Sequence, residues 1–148
     1  MRVEVDQSIK IEQMSRDTII GLSNDIQYVV VLPSRVKRKL QEDFRLIGRP
    51  KLFRYRVFMA GVVLLLRYAG VGDKLSIRLD REYAGKERAF VSMFLEMWSR
   101  GDGVVPPFEI SEIGKSSSAH NVCFQVLRGK RKANRVLTYG EIKRLSLP

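Results

Sequence analysis

The sequence predicts an α/β domain built on a mixed β-sheet that is flanked by helices. Near the N-terminus, residues 2–13 alternate apolar and polar side chains with the period of two that is typical of β-strands, and two further short strand-like segments follow after turns. Farther along, such segments alternate with apolar patterns of helical period. Three strands joined by short turns favour an antiparallel meander, and right-handed crossovers then place the fourth strand parallel to the first, at its free edge. We therefore expect one five-stranded sheet with helices on both sides.

The strands are predicted from this alternation and from the turn residues between them. In the first strand, valines and isoleucines share one parity and charged side chains share the other, so that Asp6 falls in the middle of the strand. The fourth strand repeats this design, with Asp80 toward its end. The five predicted strands cover residues 2–13, 18–23, 26–33, 73–83 and 108–113.

Helices are predicted where apolar residues recur at spacings of three and four. Ser34 offers an N-cap to the first helix, and Gly48 ends it. The second helix is apolar nearly all round in its second half, which predicts burial. The predicted helices cover residues 35–47, 50–68, 85–100 and 119–128, and a last short helix follows the capping-box spacing of Thr138–Glu141.

The length of 148 residues fits one domain with a substantial core. We expect this domain to span residues 1–129, with residues 130–148 forming a basic linker and a short C-terminal helix packed on it or extending it. The single cysteine, Cys123, excludes an intramolecular disulfide and a cysteine-based zinc site. The most apolar run, Val57–Leu66, has about half the length that a membrane span needs. With no signal peptide visible, we expect a cytoplasmic protein without a membrane partner.

Basic residues outnumber acidic residues by 27 to 16, which gives a formal net charge of +11 and a pI near 10.2. A field of this sign attracts polyanions, chiefly nucleic acid, through counterion release and long-range steering. We therefore expect nucleic acid as the partner, although any one basic cluster alone is also typical of a solvated surface. The candidate contacts are Arg35, Lys37, Arg38, Lys39, Lys51, Arg54, Lys115, Lys130, Arg131 and Lys132.

Two aspartates occupy matching positions on the first and fourth predicted strands. If these strands are neighbours, Asp6 and Asp80 face the same side of the sheet, close to each other. Two such carboxylates repel, and each resists ionisation unless a cation lies between them. A divalent metal such as Mg²⁺ suits this position, because it binds one or two carboxylates and keeps room for phosphate oxygens.

At these residues the chain resembles the ribonuclease H-like superfamily. The order βββαβαβα, the Asp6-Gln7-Ser8 match to a D-x-S opening and the aspartate at the end of the fourth strand carry the resemblance. The helix after the fifth strand bears His120, the only histidine, where Piwi domains and excinuclease C-type nuclease domains carry theirs. The resemblance implies an Asp-Asp-His site of Asp6, Asp80 and His120, with two Mg²⁺ or Mn²⁺ ions that support phosphodiester hydrolysis.

The resemblance does not identify which residue is the fourth metal ligand. Ribonuclease H itself carries a glutamate early in the helix after the third strand, whereas the acids of that helix here, Glu42 and Asp43, lie late in it. Glu82 shares a strand face with Asp80, and Glu87 begins the next helix, so either is a possible substitute. The residues expected to be catalytic and metal-binding are Asp6, Asp80, Glu82 and His120.

Two functions are consistent with these features. The first is a metal-dependent nuclease or structure-specific endonuclease, with RNA, DNA, a hybrid and a branched junction all as candidate substrates. The second is a non-catalytic nucleic-acid-binding or assembly module of the same fold, in which Asp6 is a strand acid balanced by a nearby basic residue and His120 lies at the edge of the core. A small-molecule enzyme is disfavoured, because no glycine-rich loop links a strand to a helix.

Overall fold

A computed structural model describes residues 2–23, 26–72, 75–114 and 117–148. Within these ranges the chain forms one mixed sheet of six strands, in the order β5-β4-β1-β2-β3-β6, together with five α-helices. The strands are β1 Arg2–Ser8, β2 Thr18–Ser23, β3 Tyr28–Leu32, β4 Ser76–Asp80, β5 Phe108–Ser111 and β6 Arg135–Val136. The helices are α1 Ser34–Leu46, α2 Phe53–Tyr68, α3 Glu87–Ser99, α4 Ser118–Leu127 and α5 Tyr139–Ser146, with a 3₁₀ turn at Pro50–Leu52 before α2.

The first and fourth strands are neighbours, as the sequence predicts. β1, β2 and β3 form the expected antiparallel meander, and β4 pairs in parallel with the free edge of β1. In this register Val5 lies opposite Leu79. The next residue on each strand is an aspartate, so strand pairing alone sets Asp6 and Asp80 side by side.

The sheet has six strands instead of the five that were predicted. The additional strand, β6, pairs in parallel with β3 in the segment that the sequence indicated as a basic linker. The backbone N–H of Leu137 extends this pairing by donating to the carbonyl of Val31 at 2.8 Å. Residues 130–148 therefore continue the sheet, and α5 packs beside α1 and α2. Thr138 and Glu141 form the expected capping box at the start of α5.

The two faces of the sheet carry unequal helical layers. On one face α2 packs against β2 and β3, and the large core cluster joins it to α1, α3 and α5. Every residue of α2 from Arg56 to Leu66 is buried, as the apolar pattern predicts. On the other face α4 alone covers β1 and β2. Among the described residues, no helix combines the length and apolarity needed to cross a bilayer.

The first strand ends earlier than its alternation predicts, at Ser8 instead of Gln13. Ile9 has a φ of 65°, and this left-handed conformation turns a β-branched residue out of the strand. Ile11 is nevertheless fully buried, so the alternation beyond Ser8 comes from burial in a turn. The fourth strand likewise ends at Asp80, which leaves Glu82 in the segment beyond the sheet.

Gly21 controls how closely α4 approaches the sheet. It lies opposite Asp6 in the β1–β2 register, and a Cβ at this position would lie 2.7 Å from the buried Sγ of Cys123 on α4. Cys123 Sγ in turn donates to the backbone carbonyl of Asp6 at 3.4 Å. The missing side chain of Gly21 thus allows the helix that carries His120 to pack directly over Asp6.

We expect Gly21→Ala to lower the free energy of unfolding by about 1–3 kcal/mol, because α4 has to move away from the sheet. Urea denaturation measures this change, with Gly72→Ala as the control, since a Cβ at Gly72 meets nothing within 4 Å. The double variant Gly21→Ala/Cys123→Ala should be less destabilised than the sum of the single variants. Strict additivity would contradict the proposed contact.

Candidate metal centre

Three carboxylates converge at the carboxyl ends of β1 and β4. Asp6, Asp80 and Glu82 each offer an oxygen, and these oxygens lie within 4.8 Å of one another. They line an open cleft of about 350 Å³, and His120 from α4 forms part of its wall. The structure thus brings together the four residues that the sequence singled out for catalysis and metal binding.

Asp6 is the most deeply buried of the three acids, with 4% of its surface exposed. Its Oδ1 accepts a hydrogen bond of 2.8 Å from the backbone N–H of Gln7, and its Oδ2 lies 3.1 Å from Nδ1 of His120. These contacts engage both oxygens of the carboxyl group. Asp6 is therefore held in one orientation at the floor of the cleft.

The N-terminus of α4 fixes His120. Ser117 caps this helix, and its Oγ accepts a hydrogen bond of 3.1 Å from the backbone N–H of His120. The imidazole ring also stacks on Phe124, with ring centroids 6.2 Å apart, and keeps 29% of its side chain exposed. With Nδ1 facing Asp6, the tautomer that donates from Nδ1 leaves the Nε2 lone pair available to a proton.

Burial and mutual repulsion raise the pKa values of the other two acids. Asp80 accepts a hydrogen bond of 3.0 Å from the backbone N–H of Ile113, but burial, reinforced by the charge of Asp6, still raises its pKa. For Glu82, burial is the largest cause and the neighbouring Asp6 carboxylate the next, and together they raise its pKa to about 8. The metal-free cluster therefore favours the protonated form of Glu82 at neutral pH.

The arginines closest to the cluster in sequence are engaged elsewhere. Arg81 pairs with Glu87 at 3.0 Å, and Arg78 pairs with Glu4 at 3.4 Å. Glu87, the other candidate for the fourth ligand, is thus bound to an arginine, whereas Glu82 joins the cluster. Lys10 Nζ donates to the backbone carbonyl of Glu82 at 3.4 Å, but within the described residues no lysine or arginine forms an ion pair with the three carboxylates.

Gln7 is a residue of this cleft that the sequence analysis did not single out. It lines the cleft with only 7% of its surface exposed. Within the described part of the chain, neither its side-chain oxygen nor its nitrogen makes a hydrogen bond of normal geometry. The amide does interact with the neighbouring Glu82 and Tyr83, and a ligand bound in the cleft would supply the well-aligned hydrogen bonds that it lacks. In the sequence, only the position of Gln7 next to Asp6, within the D-x-S match, could have indicated that it lines the cleft.

Most of the predicted nucleic-acid contacts lie at the surface. Arg131 is half-exposed and donates to Gln27 Oε1 at 2.6 Å, while Lys115 lies outside the described residues. The exposed members of the set are Arg35, Arg38, Lys39, Lys51, Arg54, Lys130 and Lys132. These side chains are accessible to a polyanion, although Arg54 also pairs with Glu12 at 3.5 Å.

Lys37 departs from this expectation, because its side chain is completely buried. Its ammonium donates to the carbonyl of Gln13 at 2.8 Å and to Thr18 Oγ1 at 3.0 Å, which ties α1 to the turn after β1. Burial lowers the pKa of Lys37 to about 8. A charge in this position stabilises the turn and is not presented to a nucleic acid.

The raised pKa of Glu82 predicts a pH-dependent stability in the presence of a chelator. The native state binds this proton more tightly than the unfolded state, so the contribution is fully present below pH 4.5 and is lost as the pH rises toward about 8. Glu82→Gln should gain stability relative to the wild type across this window, by at most about 1.4 kcal/mol per pH unit. Urea denaturation from pH 4.5 to 9 measures the difference, with the exposed Glu42→Gln as control. Parallel curves for wild type and Glu82→Gln would contradict the assignment.

Comparison with known proteins identifies no relative of this chain. No protein-family model, no curated protein and no solved structure matches the chain. The function therefore has to be inferred from the arrangement of the side chains themselves.

Proposed function

We propose that this protein is a metal-dependent nuclease with a ribonuclease H-like fold that hydrolyses phosphodiester bonds in nucleic acid. The observation that carries the proposal is the convergence of Asp6, Asp80 and Glu82 in one cleft, beside His120, in a chain with a net charge of +11. The resemblance to the superfamily requires the first and fourth strands to be adjacent and the helix after the fifth strand to reach the first. Both conditions are met by β1, β4 and α4.

The side chains of the cleft fit a hard divalent cation. Mg²⁺ and Mn²⁺ prefer carboxylate oxygens, and three are available here within 4.8 Å of one another. Burial and mutual repulsion raise the pKa values of Asp80 and Glu82. These shifts indicate that the negative charge of the cleft is not fully balanced by neighbouring positive charge. Asp6, Asp80 and Glu82 would hold the metal, and the buried amide of Gln7 is placed to hydrogen-bond a bound water or phosphate oxygen.

In phosphodiester hydrolysis, water attacks phosphorus and the bond to one ester oxygen breaks. Divalent cations bound by the carboxylates would lower the pKa of the attacking water and balance charge on the leaving oxygen. His120 lies at the open edge of the cleft, where its Nε2 can accept or return a proton, and Asp6 stabilises the charged imidazole that results. The exposed lysines and arginines would hold the substrate through its phosphates, independent of sequence.

Cleavage tests the proposal directly. We expect the wild-type protein with Mg²⁺ or Mn²⁺ to cleave at least one member of a panel of end-labelled single strands, duplexes, RNA–DNA hybrids and four-way junctions. Asp80→Asn should slow that cleavage at least about a hundredfold, since even changes behind the metal ligands cost 10- to 100-fold. The exposed Glu109→Gln is the matched control and should keep full activity. Salt-dependent binding without cleavage of any substrate would favour the non-catalytic binding module.

Thermal unfolding tests the metal site independently of any substrate. A cation that binds only the native state at a hundred times its Kd stabilises it by about 2.7 kcal/mol. In a domain of this size we therefore expect Mn²⁺ to raise the Tm by roughly 5–10 °C. Asp6→Asn should abolish the shift and Glu109→Gln should retain it. An equal shift in both variants would assign the effect to other surface acids.

A further inference from the structure

A second cavity, of about 440 Å³, is connected to the metal centre through the segment that follows β4. Tyr83 joins the two, because it follows Glu82 in the chain and packs edge-on against Tyr55 of the cavity wall, with ring centroids 5.2 Å apart. The hydroxyl of Tyr83 also donates to Oε1 of Glu12 at 2.8 Å, and Glu12 lines the cavity. Glu82 at the metal centre and Tyr83 at the back of this cavity wall are thus consecutive residues.

The cavity has more positive than negative side chains. Lys51, Arg54 and Lys86 line it, against the single carboxylate of Glu12. Glu12 already accepts from Tyr83 and lies 3.5 Å from Arg54, whereas Lys51 and Lys86 make no ion pair within the described ranges. Both lysines are exposed, so they can contact an anion without breaking an existing ion pair.

An aromatic surface accompanies these cations. Tyr55 is half-buried, with Arg54 Cζ at 4.8 Å and Lys86 Nζ at 5.4 Å from its ring centroid. Phe90 packs on the ring at 60°, in addition to Tyr83 at 87°, and Phe53 adds a buried apolar wall to the cavity. Tyr55 is thus held rigidly, at little further entropic cost when a ligand stacks beside it.

We propose that this cavity binds an unpaired nucleotide of the nucleic-acid strand that crosses the metal centre. Lysines and an arginine suit its phosphate, and Tyr55 and the Arg54 guanidinium suit stacking with its base. A base that is paired inside a duplex cannot enter a concave site of this kind. The inference rests on the proposed function and names its substrate class: a strand with single-stranded nucleotides beside the scissile phosphate.

Binding to the inactive Asp80→Asn chain tests the cavity without cleavage. Fluorescence anisotropy compares a labelled single strand with a blunt duplex of the same sequence, for Lys51→Ala/Lys86→Ala and for the charge-matched control Arg16→Ala/Arg144→Ala. The cavity variant should lose single-strand affinity at least tenfold, with a salt slope lower by about 0.7 for each lost phosphate contact. Its duplex affinity should fall no more than that of the control. Equal losses in both variants on both nucleic acids would overturn the inference.

Photocrosslinking locates the base. A single strand that carries 5-iodouracil should crosslink to the peptide containing Tyr55, and Tyr55→Leu should remove that crosslink while leaving the circular dichroism spectrum unchanged. Crosslinks that avoid this peptide in the wild type would contradict the proposal.

The two proposals fail in distinguishable ways. A protein that cleaves blunt duplexes as fast as overhangs, with no effect of Lys51→Ala/Lys86→Ala, is a nuclease without the inferred nucleotide site. A protein that binds single strands through the cavity but cleaves nothing retains the nucleotide site and is not a nuclease.

Discussion

Parallel pairing between β1 and β4 sets the positions of the two aspartates on which the metal centre is built. It joins two strands that are far apart in the chain, and its register places Asp6 beside Asp80 at the point where β4 ends. Two carboxylates at adjacent strand positions repel, so the sheet holds them together against their own electrostatics. The backbone hydrogen bonds and the apolar residues before them, such as Val5 and Leu79, supply the stabilisation that opposes this repulsion.

The surrounding elements reduce the cost of this arrangement only in part. His120 and the N–H of Gln7 contact Asp6, and the N–H of Ile113 contacts Asp80, whereas among the described residues the side chain of Gln7 only partly offsets the effect of burial and of Asp6 on Glu82. Three neighbouring carboxylates whose charge is only partly compensated are typical of a site that is selected for function at the expense of stability.

The sequence was informative where periodicity and topology act together. The meander and the β1–β4 adjacency follow from alternation and crossover handedness, whereas the approach of His120 to Asp6 was expected only from the resemblance to a family. Periodicity did not reveal β6, since two residues are too few to show alternation. It also did not reveal the burial of Lys37, whose long aliphatic stem lies beside the apolar face of α1. Glu82, which the sequence analysis preferred to Glu87, does join the cluster, but periodicity could not show how the chain turns after β4 ends to bring it there.

That turn is fixed by aromatic packing. Tyr83 lies among Tyr55, Phe58 and Phe90, with ring centroids 5.2 to 5.9 Å away, and is itself almost completely buried. Because Glu82 precedes it directly, the anchored tyrosine restricts where the third carboxylate can lie. The same tyrosine supports the wall of the neighbouring cationic cavity. The buried ring of Tyr83 thus affects both the geometry of the carboxylates and the surface from which a strand would approach them. A substitution at Tyr83 is therefore expected to change both.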